Sequence, residues 1–327
     1  MTIDVKTVRF EGALRGLREL PDADQVILHI DQTLVVVPWP ALRNVPDHMI
    51  ASPGSQGLGR VLAAEVRVDN AWSVHPPTNR IVLARQGELQ LIEPSGRSEI
   101  RRIPVTGLPR GTFAAGIDSA GQNVLLAVMR AVNPDFAEYG VAMANLVHGQ
   151  LIPESTIGSI ADLELLWDNE FRGWLIVDTG RGTLWRWDGI GSAVRMAGPD
   201  GGRVHAATIT ANGNGVFVSA VLAQATDETE LITGRVDRDR VVWDAPRVLS
   251  GSPVLAARRH SARPIWACLA QEGARQQIRI CDAAGKVLAA AGVGPAADVN
   301  NILWSTSSPN RVWGIGTRAL TAATVSD

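Results

Sequence analysis

Lysine is almost missing from this chain: Lys6 and Lys286 are the only two, and arginine carries nearly all the positive charge. The formal net charge is −2 and the pI is near 6.3, so no basic field marks a nucleic-acid surface. Cysteine is scarce as well. Cys268 and Cys281 cannot build a disulfide framework; they fall either side of a turn near Gly273 and read as buried small side chains. No apolar run reaches the ~18–20 residues that span a bilayer. The first ten residues carry Asp4, Lys6 and Arg9 without an apolar core of signal-peptide length. These absences set the expectation of a soluble, cytoplasmic protein with neither nucleic acid nor membrane as partner. Gly-x-Ser-x-Gly, Walker and His-Glu-x-x-His motifs are lacking, and the six histidines are scattered. A clean helical period is lacking too, so little helix is expected.

What the chain does have is a spacing. An apolar stretch ends at an anchor, a short polar turn follows, and a second apolar stretch begins. The anchors are Trp72, Ile117, Trp167, Ile209, Arg258 and Trp304, separated by 45, 50, 42, 49 and 46 residues. That period is the signature of β-propeller blades. Dividing 327 residues by seven gives about 47 per unit. The first 60 residues hold Val26-Ile27-Leu28-His29-Ile30 and Leu34-Val35-Val36-Val37, which read as one more blade. After Trp72 the layout of turns predicts four antiparallel strands, with Gly, Pro, Asn, Asp and Ser between them. The last unit supplies only three strands. Residues 5–10 are a spare strand, and an open sheet edge would leave backbone groups unpaired. The prediction is therefore all-β: one seven-bladed β-propeller domain over residues 1–327, with four-stranded antiparallel blades and the N-terminal strand closing the ring.

Three segments exceed minimal turns: 38–60, 130–140 and 223–230. Long loops on a rigid scaffold are where binding residues concentrate. The candidate partner contacts are Trp39, flanked by Pro38 and Pro40 and so expected to be exposed, His48, Asp135 and the lone tyrosine, Tyr139. Trp185 and Trp187 share one face of a strand and read as packing, with a sugar-stacking pair as the alternative. Polar residues at the innermost strands are a second constellation: Asp69, Asn70, Asp162, Glu164, Arg203, His205, Asp298, Asn300 and Asn301. Oxygen ligands from Asp69, Glu164, Asp298 and Asn300 suit Ca²⁺ or Mg²⁺, with His205 and Glu164 as acid–base groups. Such residues equally serve to satisfy backbone groups and hold water.

The segment from Trp174 through Asp178-Thr179-Gly180-Arg181-Gly182 to Trp187-Asp188 resembles an NHL-type or gluconolactonase/regucalcin-like blade, with Arg181 where those blades carry Asn. The resemblance implies a propeller; in the gluconolactonase group it further implies a divalent metal in the central channel, and no ligand position here matches that pattern. Two functional expectations follow. The leading one is a non-enzymatic scaffold without cofactor whose partner is another protein. The alternative is a divalent-metal-dependent hydrolase, lactonase or lyase at the channel.

Overall fold

The computed structural model describes residues 1–20, 24–47, 49–54, 58–94, 99–109, 111–133, 136–157, 163–179, 181–199, 203–212, 215–223, 229–237, 240–249, 253–294 and 297–326. The side chains of 130–133, 136–138, 153, 154, 203, 205, 212 and 223 fall outside that description. The chain is an all-β, seven-bladed β-propeller of antiparallel, four-stranded blades. The one helix among the described residues is the single turn Trp39–Arg43. Among the described residues no helix is long and apolar enough to cross a membrane.

Two compact units divide the chain. One holds residues 65–198 and 238–240; the other holds 1–64, 199–237 and 241–327. In the first, blade 2 runs Trp72–His75, Arg80–Arg85, Glu88–Ile92 and Ile100–Pro104. Blade 3 runs Thr112–Ile117, Asn123–Asn133, Phe136–Asn145 and Leu151–Thr156, and blade 4 runs Leu163–Asp168, Gly173–Asp178, Leu184–Trp187 and Val194–Met196. Blade 4 contains the Asp178 turn: Asp178 Oδ1 accepts from Arg181 N at 3.2 Å, and Gly182 takes φ +63°. That left-handed position is one that glycine adopts without steric cost.

The second unit holds blade 5 (Arg203–Asn212, Gly215–Ala223, Thr229–Asp237, with Arg240–Trp243 and Arg247–Leu249 outermost) and blade 6 (Val254–Arg259, Ile265–Glu272, Arg275–Asp282, Val287–Gly292). It also holds blade 1: Leu14–Leu20, Gln25–Ile30, Thr33–Pro38 and Arg60–Ala63. Blade 7 joins the two chain ends. Val299–Trp304, Arg311–Gly316 and Ala319–Ser326 come from the C-terminus, and Thr2–Phe10 pairs antiparallel with the last of these from Thr2↔Ser326 to Arg9↔Ala319.

The second strands carry unbroken apolar runs because both faces of each sheet are covered. Ile81–Ala84, Val124–Val128 and Trp174–Val177 are buried throughout. Within each unit the core consists of layers between neighbouring blades. Val82, Leu89, Val124 and Leu126 pack blade 2 on blade 3. Leu125, Val141, Trp174 and Trp187 pack blade 3 on blade 4. Trp185 and Trp187 belong to that last layer, which removes the sugar-stacking alternative.

Segment 38–60 departs from its reading as a free loop. Trp39–Arg43 forms a helical turn, and Ile50–Ala51 adds a parallel fifth strand beside Arg9 and Phe10. Lys6 Nζ donates to Val45 O at 2.6 Å and pairs with Asp47, while Arg9 Nη2 donates to Asp47 O at 3.2 Å. The segment straps the outer edge of the closing strand, an edge that would otherwise present unpaired backbone groups.

Candidate functional site

In blades 2 and 3 the connections that enter each first strand share an end with the hairpins joining second to third strands. Blade 2 has a tight hairpin there, Arg85 to Glu88, with Gly87 at φ +76°. Blade 3 has a long one. Its strands Asn123–Asn133 and Phe136–Asn145 stay paired as far as Asn133↔Phe136. The long hairpin stands beside the short one, and at the foot of this step lies a cavity of about 510 Å³, lined by the blade 2 hairpin and by the segments that enter blades 2 and 3.

Glu65, Arg67, Asp69, Asn70, Arg85 and Glu88 supply most of its polar lining, with Gln86, Gly111 and Thr112. Its floor is held by hydrogen bonds. Asn70 Oδ1 accepts from Arg67 N at 2.9 Å, and Asn70 N donates to Arg67 O at 3.0 Å, which closes the 67–70 turn. Thr112 Oγ1 donates to Asp69 O at 3.1 Å and accepts from Ala71 N at 3.2 Å, so a buried hydroxyl of blade 3 fixes the entry to blade 2. Arg67 Nε lies 3.4 Å from Asp69 Oδ1. On the long hairpin, Met129 N donates to Gly111 O at 3.0 Å, and its side chain is exposed at 43 %. Val68, between two lining residues, is exposed at 65 %.

Of the residues expected from sequence, the cavity gathers Asp69 and Asn70. Glu164 sits half-buried in the first strand of blade 4, opposite Val177. In the other unit, Asp298 and Asn300 are exposed, and Asp298 Oδ2 accepts from Thr317 Oγ1 at 3.2 Å. His205 lies where the pairing of Arg203–Asn212 shifts register; its side chain, like residue Asp162, is outside the described set. Among the described residues, no three His, Cys, Asp or Glu side chains come together to hold a metal.

Trp39 corrects the reading of an exposed anchor. It is 4 % exposed and meets the Trp313 ring edge-on at 4.8 Å. The flanking prolines start a helical turn that presses the indole into the layer formed by Leu14, Val37 and Leu320. Tyr139 is half-buried against Phe113, ring centroids 6.0 Å apart. His48 and Asp135 lie outside the described residues.

Sequence reasoning missed the polar clasps where first strands turn into second strands. His75 Nε2 meets Ser119 O at 3.1 Å and joins blade 2 to blade 3. His260 Nε2 donates to Pro309 O at 2.9 Å, since Nδ1 already accepts from Ala262 N and Arg263 N, and joins blade 6 to blade 7. Burial pushes the His260 imidazole below its usual value, against the opposing hydrogen bond to Pro309. Glu19 of blade 1 receives Ser305, Thr306, Ser307 and Trp313 of blade 7. His75 ends its strand and His260 lies one residue past its own, but clasps built from His in two blades and Glu in another share no residue type for a sequence pattern to find.

Cys268 and Cys281 are both buried, diagonal across adjacent strands, with Cys268 opposite Arg279 and Cys281 opposite Trp266. A hydrogen bond with Cys281 and full burial hold the Cys268 thiol well above its usual pKa. No protein-family model matches the chain, and no curated protein matches it.

Proposed function

We propose that this propeller is a non-enzymatic scaffold that binds another protein at the step between blades 2 and 3. One observation carries the reading: exposed Met129 and Val68 flank a cavity lined by charges of both signs. Interfaces combine apolar anchors with a polar surround in this way. Paired opposite charges around the cavity select register and partner more than they add affinity. The turns that bear these charges are pinned by Asn70 and Thr112, so little ordering cost remains to be met on binding.

The test is a photo-crosslinking amino acid placed at Met129, compared with one at Arg101 on the outer strand of blade 2. A specific adduct from position 129, lost in Arg67→Glu at unchanged thermal midpoint, supports the scaffold. Identical adducts from both positions, or no effect of Arg67→Glu, overturns it.

A further inference from the structure

A second cavity, of about 280 Å³, lies in the groove between blades 5 and 6 of the other unit. The outer strand of blade 5 makes it. That strand is interrupted between Arg240–Trp243 and Arg247–Leu249, and Asp244 N donates to Thr233 O at 2.8 Å across the break. The interruption opens a hollow against the Pro264 and Ala283 turns of blade 6.

Arg247 and Arg259 line this hollow with Asp244, Thr233 and Trp266. The Arg259 guanidinium lies over the Phe217 ring at 4.5 Å, a cation–π contact that positions it. Among the described residues neither guanidinium has a carboxylate within ion-pair distance, Asp244 included. This occurs in a chain with more acidic than basic residues, 33 against 31. Two further cations, Arg263 and Lys286, belong to the same two turns of blade 6. A planar guanidinium fork matches oxyanion geometry, and two such forks in one hollow match a phosphoryl group.

We infer that this groove binds the phosphate monoester of a small polyol, with Arg247 and Arg259 on the phosphoryl oxygens and Asp244 accepting a hydroxyl. Asp244 makes the site selective: its charge opposes a bare anion and rewards a ligand that brings a donor. The inference is independent of the partner surface on blades 2 and 3.

Isothermal titration at low salt with glycerol 3-phosphate, inorganic phosphate and glycerol tests it. Saturable binding of glycerol 3-phosphate is expected, tighter than inorganic phosphate, with glycerol silent. Arg247→Gln and Arg259→Gln each weaken it about tenfold or more, and Arg102→Gln, on the outer strand of blade 2, leaves it unchanged. The Arg247 side chain is exposed, so its replacement leaves the backbone pairing of Arg247 with Leu231 in place and keeps the test usable if Arg259→Gln unfolds. No saturable binding, equal affinity for glycerol 3-phosphate and inorganic phosphate, or binding indifferent to Arg247→Gln overturns the inference.

Discussion

Replacing Glu19 should loosen the joint between blades 7 and 1 more than any other single polar change in that joint. Glu19 is 8 % exposed. Its Oε1 accepts from Ser305 Oγ at 2.5 Å, Ser307 Oγ at 2.9 Å and Trp313 Nε1 at 2.8 Å. Its Oε2 accepts from Thr306 Oγ1 at 2.9 Å and from Thr306 N. The hydroxyls can rotate toward other acceptors, as Ser305 and Ser307 already contact each other. The Trp313 indole N–H and the Thr306 amide cannot. Glu19→Ala strands those two donors, and each buried orphan costs about 1–3 kcal/mol. The expected loss is about 3–5 kcal/mol, less than the sum of five separate bonds because the donors share one carboxylate. Glu19→Gln keeps the shape and one oxygen but turns an amide N–H₂ toward donors, so about 2 kcal/mol is expected. The assay is urea unfolding followed by tryptophan fluorescence. A double-mutant cycle of Glu19→Gln with Trp313→Phe isolates the indole bond, and a coupling of about 1 kcal/mol is expected. Midpoints for Glu19→Ala within about 0.5 kcal/mol of wild type would refute the clasp as a stabilising joint.

Trp39→Ala empties space beside Trp313 and should cost about 3–5 kcal/mol in the same assay, whereas an exposed indole would cost almost nothing. The pH dependence of stability should carry the mark of His260. Its pKa is lowered from 6.5 on folding, so the unfolded state takes up the proton first. The contribution is complete above about pH 6.5 and is lost as pH falls through the folded-state value. His260→Gln should flatten that part of the unfolding midpoint against pH; an unchanged slope would show that His260 is not its source.

The fold was legible because its signals are local and repeated. Turn residues every few positions and apolar second strands define blades even where no residue type recurs. The spare N-terminal strand was legible from counting, and it pairs over eight residues as a missing outer strand requires. The inner polar constellation was less legible, and the reason is geometric. Side chains alternate along a strand, so counting back from an anchor assigns faces only while the pleat is regular. The first strands of blades 1, 3, 5, 6 and 7 each carry a register shift against their second strand. In blades 5 and 7 it falls at His205 and Asn300. A bulge reverses the parity of every residue beyond it, so the count loses its meaning where the candidates stand. Trp39 fails for a different reason. Flanking prolines suit a loop in sequence, but proline also begins a helix, and the indole area favours burial with Trp313 within reach.

The cavity of blades 2 and 3 needs both ends of those blades. At one end His75 bonds to Ser119 O and also meets Thr78 Oγ1 at 2.8 Å. At the other end Thr112 ties the first strand of blade 3 to Asp69 O and Ala71 N, directly under the cavity. The apolar layer of Val82, Leu89, Val124 and Leu126 lies between the two fastenings. The two blades are thus held together at both ends and through the middle. Blade 2 stops at Arg85 while the second strand of blade 3 continues to Asn133. The cavity lies where the turns entering blades 2 and 3 meet the short hairpin of blade 2, beside the longer hairpin of blade 3. Of its charges, Glu65, Arg67 and Asp69 sit on the turn that enters blade 2, and Arg85 and Glu88 at the strand ends of the tight hairpin. Under the proposed scaffold reading, changes between Glu65 and Asn70 should alter partner choice at little cost in stability, because that turn lies outside the apolar layer of Val82, Leu89, Val124 and Leu126.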